Sequence, residues 1–117
     1  MAKGPGRTRR VGDLIQVELA DILARETHDA RFALVTILEV NVSPDLAHAK
    51  VFISVLEKEK ARDIVDALNK ASKYLRFHLA QRIELRIVPG LRFIYDDSAA
   101  HGQHISSLID KALKNHD

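Results

Sequence analysis

The sequence contains no cysteine and no tryptophan, and each absence excludes something. Without thiols the chain can form neither a disulfide nor a thiolate metal site, a composition compatible with the cytosol. Its aromatics are four Phe and two Tyr, too few for a broad base-stacking platform. No apolar run approaches the ~20 residues that span a bilayer. The N-terminus is basic but lacks the apolar segment of a secretory signal, so a cytoplasmic protein with no membrane contact is expected. The five glycines, at positions 4, 6, 12, 90 and 102, match neither a phosphate-binding loop nor a dinucleotide fingerprint.

What is present is a globular composition, with 46% hydrophobic and 29% charged residues in 117. That length predicts one domain. The net charge is only +2, yet the charges are segregated. Lys3, Arg7, Arg9 and Arg10 open the chain with no acid among them. A second basic stretch holds Lys70, Lys73, Arg76, Arg82, Arg86 and Arg92 against Glu84 alone. Acids gather elsewhere, at Glu18, Asp21 and Glu26, at Glu57 and Glu59, and at Asp96 and Asp97. Such segregation suits a face turned towards phosphate, although a solvated basic surface would look the same.

Hydrophobic spacing divides the chain into elements. Gly4, Pro5 and Gly6 predict a flexible basic arm over residues 1–6. Val11, Leu14, Ile15, Leu19, Ile22 and Leu23 form the stripe of an amphipathic helix over about 7–26. Arginines at its start oppose the helix dipole, so they point to an anionic partner rather than to stability. Leu38, Val40 and Val42 then alternate with Ile37, Glu39 and Asn41, the repeat of a half-buried strand. Ser43, Pro44 and Asp45 make a turn, and Ala49, Val51, Ile53 and Val55 line a second strand, so an antiparallel hairpin is expected.

Ala61, Ile64, Val65, Leu68, Ala71, Leu75 and Leu79 restore the helical period. Pattern alone reads them as one helix of about 22 residues, because Asn69 and Ser72 together cost only about 1 kcal/mol. Leu91, Phe93 and Tyr95 mark a third strand after the Pro89–Gly90 turn. Asp97 or Ser98 could cap a last helix carrying Ile105, Leu108, Ile109, Ala112 and Leu113. The sum is an α+β domain, a three-stranded sheet with helices packed on one face.

A catalytic reading would rest on Asp96, Asp97, Ser98, His101 and His104. Two histidines three apart lack the four-residue pitch and the glutamate of a helical zinc motif. Nothing glycine-rich presents Ser98 at a sharp turn, so a nucleophile triad fails as well. Helix capping accounts for Asp97 and Ser98 without chemistry. No catalytic residue, metal or cofactor is therefore expected. Phe52, Phe93 and Tyr95 are expected in the core, with Tyr74 and Phe77 at a boundary.

The residues in this order resemble the ribosome-binding factor A family over nearly the whole chain. The matching pieces are RV and ELADIL within Arg10–Leu23, VTILEVNVSPDLAHAKVFISV at Val35–Val55, and ALNKASKYLR at Ala67–Arg76. LRIVPGLRFIYDDS at Leu85–Ser98 and the G-x-x-I of Gly102–Ile105 complete the set. The resemblance implies a type II KH-like fold over residues 7–114, with 115–117 as its C-terminal end. It also implies a helix–kink–helix at Ala71, Ser72 and Lys73 in place of a GxxG loop, and an extra C-terminal helix. Lys73 stands where the family has glycine, and Ala30 stands between Asp29 and Arg31 where proline is common.

In function, the resemblance implies a non-catalytic assembly factor. Such a factor binds the free small (30S) ribosomal subunit and its 16S rRNA during late maturation and rRNA processing. An assembly GTPase is a partner associated with its release. Carried onto this chain, RNA contact falls to Arg7, Arg9, Arg10, Lys70, Ser72, Lys73 and Arg76, with Arg82, Arg86 and Arg92 as lesser contributors. Nothing in the sequence demands a dimer, and a monomer is expected. The competing readings are a general single-strand RNA module, disfavoured by the missing GxxG, and a metal-dependent hydrolase on the Asp96–His104 cluster.

Overall fold

A computed structural model describes residues 3–97, with side chains from Gly6 onward. Helix α1 (Lys3–Arg25) leads through a short 3-10 turn (Ala30–Leu34) to strand β1 (Val35–Val42) and strand β2 (His48–Val55). A second 3-10 turn (Lys58–Lys60) precedes helix α2 (Ala61–Lys70), helix α3 (Ser72–Arg82) and strand β3 (Gly90–Tyr95). The α+β class and the KH-like element order expected above are both present. The expected C-terminal helix, with Ser98, His101 and His104, lies outside the described residues.

The sheet order is β1-β2-β3, with β1 antiparallel to β2 and β2 parallel to β3. The hairpin is held by its turn: the Ser43 hydroxyl donates to Asp45 at 2.6 Å, and the Ala47 amide donates to the same carboxylate oxygen. Parallel pairing of β3 with β2 requires a crossover, and α2 with α3 supplies it. All three helices cover one face of the sheet. Against them lie Ile37, Val40, Ala49, Val51, Ile53, Leu91 and Phe93, all buried. From the helices come Ile15, Leu19, Ile22, Ile64, Leu68, Leu75 and Leu79, each removed from water and each contributing roughly 1.5–3 kcal/mol by transfer.

Three expectations are corrected. Helix α1 begins at Lys3 rather than at about residue 7, taking in residues assigned to an arm. Pro5 is compatible with this because a first-turn residue needs no amide donor. In β1 a bulge between Ile37 and Glu39 resets the alternation. Ile37 is therefore buried and Leu38 exposed, the reverse of the simple two-residue repeat. The single helix that pattern alone gives over 61–82 is two helices broken at Ala71, the helix–kink–helix that the resemblance implied. The physical reason lies in packing: α2 sits against β3 and the first 3-10 turn, whereas α3 sits against α1 and β3.

Candidate nucleic-acid interface

The N-terminal turns of α1 present Arg7, Arg9 and Arg10 to solvent, and the nearest acids, Asp13 and Glu39, share a groove with Arg9 alone. The helix is fixed from below by Val11 and Ile15 in the core. It approaches β1 closely at Gly12, where any Cβ would overlap the Val40 carbonyl oxygen. One turn on, the Gln16 amide donates to the Ile37 carbonyl at 3.0 Å, meeting the bulge of β1. Arg9 lines a groove between this helix and residues Leu38–Val42. The three arginines thus stand on the helix, as expected, and the contacts at Gly12 and Gln16 set their position over β1.

The kink is built without glycine. Ala71 has φ −90° and ψ 5°, and its amide donates to the Ala67 carbonyl at 3.0 Å and the Leu68 carbonyl at 3.1 Å. That conformation is open to any L-residue, since φ stays negative. Among the described non-glycine residues, positive φ occurs only at Leu46, in the hairpin turn. Lys73 falls inside the first turn of α3 with ordinary helical backbone and an exposed side chain. Lysine at this position therefore strains nothing and adds a cation beside the break. Lys70 is exposed on the other side of it, and Ser72 is half-buried.

Arg82 does something else. Its Nη1 donates to Asp21 at 2.6 Å and to Glu18 at 3.4 Å, and its Nη2 donates to Glu26 at 3.1 Å. Only 23% of the side chain is exposed. Three carboxylates on α1 and just beyond its end thus clasp the end of α3, and the Tyr74 hydroxyl adds a 2.6 Å bond to the Glu26 carbonyl. Arg82 is withdrawn from the phosphate-facing set. The hydrogen bond from Arg82, helped by Arg25, holds the Asp21 carboxyl below its usual range.

A carboxyl with a lowered folded pKa contributes stability that is complete above its unfolded value, near 4, and is lost as pH falls through the folded one. Arg82→Ala should therefore lower the melting temperature at pH 7, with the gap to the unsubstituted protein narrowing below pH 4. Thermal melts across that range check this, and a gap that stays constant would show that the clasp does not titrate.

Arg76 and Arg86 are brought together. Arg76 Nε and Nη2 both donate to the Val88 carbonyl, at 2.9 and 2.7 Å, tying α3 to the segment ahead of β3. Lys73, Arg76 and Arg86 line one groove with Phe77 and Ile87. Arg92 lies elsewhere, on the sheet face away from the helices, in register with Lys50 of β2. Sequence reasoning passed over Lys50, although its alternation with buried Ala49 and Val51 was a usable signal. Tyr74 and Phe77, expected at a boundary, are 46% and 60% exposed. The basic residues thus form three surfaces: the α1 end, the kink with its groove, and the open face of the sheet.

Other charged groups serve structure. Asp29 accepts from the Arg31 amide and guanidinium, closing the loop ahead of the first 3-10 turn. The carboxyls of Asp29 and Asp45 are lowered by these hydrogen bonds and those of the hairpin turn. A general acid would need the opposite shift. Among the described residues no three ligating side chains gather as a metal site. Likewise no described helix is long and apolar enough to cross a membrane.

Comparison with known proteins gives one consistent answer. A sequence model of ribosome-binding factor A matches residues 7–109. Ribosome-binding factor A of Pseudomonas fluorescens strain Pf-5 is 48% identical over 116 residues, covering 97% of this chain and 87% of that protein. The crystal structure of ribosome-binding factor A from Thermus thermophilus superposes with a TM-score of 0.65 at 27% identity, covering 75% of this chain and 93% of that one. A homology model of the Thermus thermophilus factor, fitted into a cryo-electron-microscopy map of a 30S complex, gives 0.59 at 28% identity, over 71% of this chain and 88% of that one. On sequence and on fold alike, this chain belongs to the ribosome-binding factor A family.

Proposed function

We propose that this protein binds the free small ribosomal subunit through its 16S rRNA and promotes late maturation and rRNA processing of that subunit, without catalysing a reaction. The observation that carries the reading is the exposure of Arg7, Arg9 and Arg10 together on the N-terminal turns of α1. The 30S complex of the Thermus thermophilus relative supports the choice of partner. Lys70, Ser72, Lys73, Arg76 and Arg86 form a second contact region around the kink, and Arg92 a third with Lys50. Folded rRNA is met mainly through phosphate and shape, because fixed cations on rigid elements read backbone position rather than base edges. The protein acts as a cytoplasmic monomer, and an assembly GTPase is its partner at release.

Gradient co-sedimentation from cell extract tests this directly. Migration with the free small subunit is expected, and migration only with assembled ribosomes, or with no subunit, would overturn the reading. Arg9→Glu combined with Arg10→Glu should weaken subunit binding roughly tenfold and make it less salt-dependent, while the melting temperature hardly changes. A flat salt response in the unsubstituted protein would count against phosphate contacts as the main source of affinity.

A further inference from the structure

The groove beside α3 has a composition that phosphate binding alone does not explain. It measures ≈ 640 Å³ and lies between α3 and the segment leading into β3, within the range of small-ligand clefts. Its walls carry three cations, Lys73, Arg76 and Arg86, and no carboxylate lines it among the described residues. Lys73 and Arg86 have no ion-pair partner among the described residues. Two large apolar side chains, Phe77 and Ile87, are 60% and 50% exposed in the same groove. Leaving them in water forgoes the stabilisation their burial would give, and they stand next to uncompensated positive charge.

Arg76 ties the two walls of the groove together, spending two of its five donors on the Val88 carbonyl and keeping three for a ligand. His78 meets Phe77 edge-on at 5.6 Å between ring centroids and Tyr74 at 4.5 Å, bracing the aromatic row along α3. An occupant that is flat and apolar on one side and anionic on the other matches these walls. An unpaired nucleotide has this form, since its base offers a π-face and its phosphate a charge. Guanidinium groups beside the ring suit the same occupant, because they stack as well as pair.

We infer that this groove is a pocket for one unpaired rRNA nucleotide, its base stacked on Phe77 against Ile87 and its phosphates held by Lys73, Arg76 and Arg86. The inference rests on the small-subunit reading given above and adds a base-contacting subsite to it.

The test uses the full chain and purified free small subunits, with affinity measured over a range of salt. Phe77→Ala should weaken binding roughly tenfold with the salt slope unchanged, because a base contact releases no counterion. Phe77→Trp should retain affinity, and Arg86→Ala should lower the slope by about one. Phe77 is too exposed for its replacement to endanger the fold, and the melting temperature checks that. If Phe77→Ala binds as the unsubstituted protein does while charge variants weaken binding, the pocket is overturned and the RNA reading stands. If Phe77→Leu retains full affinity, the contact is an apolar one to protein and the pocket is again overturned. If the unsubstituted protein does not bind free subunits at all, the small-subunit reading fails and this pocket falls with it.

Discussion

Gly12→Ala is expected to destabilise the protein by about 1–3 kcal/mol, the cost of forcing extra volume into a closed contact. At an open helical site the same exchange stabilises by up to about 1 kcal/mol, because alanine is the better helix former. The difference is tertiary. A Cβ at position 12 would overlap the Val40 carbonyl oxygen, which is backbone within β1 and cannot swing aside. Relief would require α1 to lift from the sheet, and Val11 and Ile15 are buried on either side of the contact. Gly6 provides the internal control, since a Cβ there meets nothing within 4 Å. Gly6→Ala should leave stability unchanged or slightly raised. For a domain of this size the Gly12 variant should melt roughly 5–15 °C lower. Thermal melts of the two variants decide the matter, and a Gly12→Ala protein as stable as Gly6→Ala would sink the idea. The site also bears on function, because the same contact sets where Arg7, Arg9 and Arg10 stand relative to β1.

Asn69→Leu should cost about 2–3 kcal/mol, because it strips partners from partly buried backbone groups. Asn69 lies in the last turn of α2, and its side chain forms a two-point contact with the edge strand. Its Nδ2 donates to the Phe93 carbonyl at 3.0 Å, and its Oδ1 accepts from the Phe93 amide at 2.8 Å. The amide side chain thus stands in for the neighbouring strand that β3 lacks on that edge. Leucine keeps the bulk and removes both bonds.

Asn69→Asp separates the two contributions. Its carboxylate can still accept from the Phe93 amide but faces the Phe93 carbonyl oxygen with no proton to give. The folded state should therefore favour the protonated acid, raising that carboxyl's pKa above its unfolded value. The penalty relative to the unsubstituted protein is then full at neutral pH and shrinks as pH falls through the raised value. Denaturant unfolding at pH 7 and near pH 4 measures it, and a penalty independent of pH would show that the carbonyl contact carries no weight.

Asn69 also shows what pattern reading could and could not find. On sequence it is a weak helix former with a small penalty, within a stripe that runs unbroken from Ala61 to Leu79. Its reason for being there is 24 residues away in β3, and no local periodicity reports a bond of that range. The break at Ala71 was hidden for the same cause. Ala71 is a good helix former, and it leaves the helix because α2 and α3 share β3 but differ in their second partner, the first 3-10 turn for α2 and α1 for α3. Only the resemblance pointed to a kink there. The bulge at Leu38 was hidden differently, because a register slip in one strand is defined by the other.

Arg82 marks the same boundary among the charges. In the sequence it belongs with Arg76, Arg86 and Arg92 as one basic stretch, whereas Glu18, Asp21 and Glu26 are 64, 61 and 56 residues distant. The fold places it against all three carboxylates and takes it out of that stretch. Phe77 moves the other way, from a boundary aromatic to an exposed ring among cations.

The sequence by itself determined the elements whose cause is local: the stripe of α1, the hairpin and its Ser43–Asp45 turn, the third strand and the basic segments. Their periods and turn residues act over a few positions, so they can be read without the rest of the chain. Tertiary structure alone decided the parallel docking of β3, the break between α2 and α3, the clasp on Arg82 and the groove at Phe77. Each of these depends on pairing residues far apart in the chain, and that pairing is settled by packing rather than by neighbours.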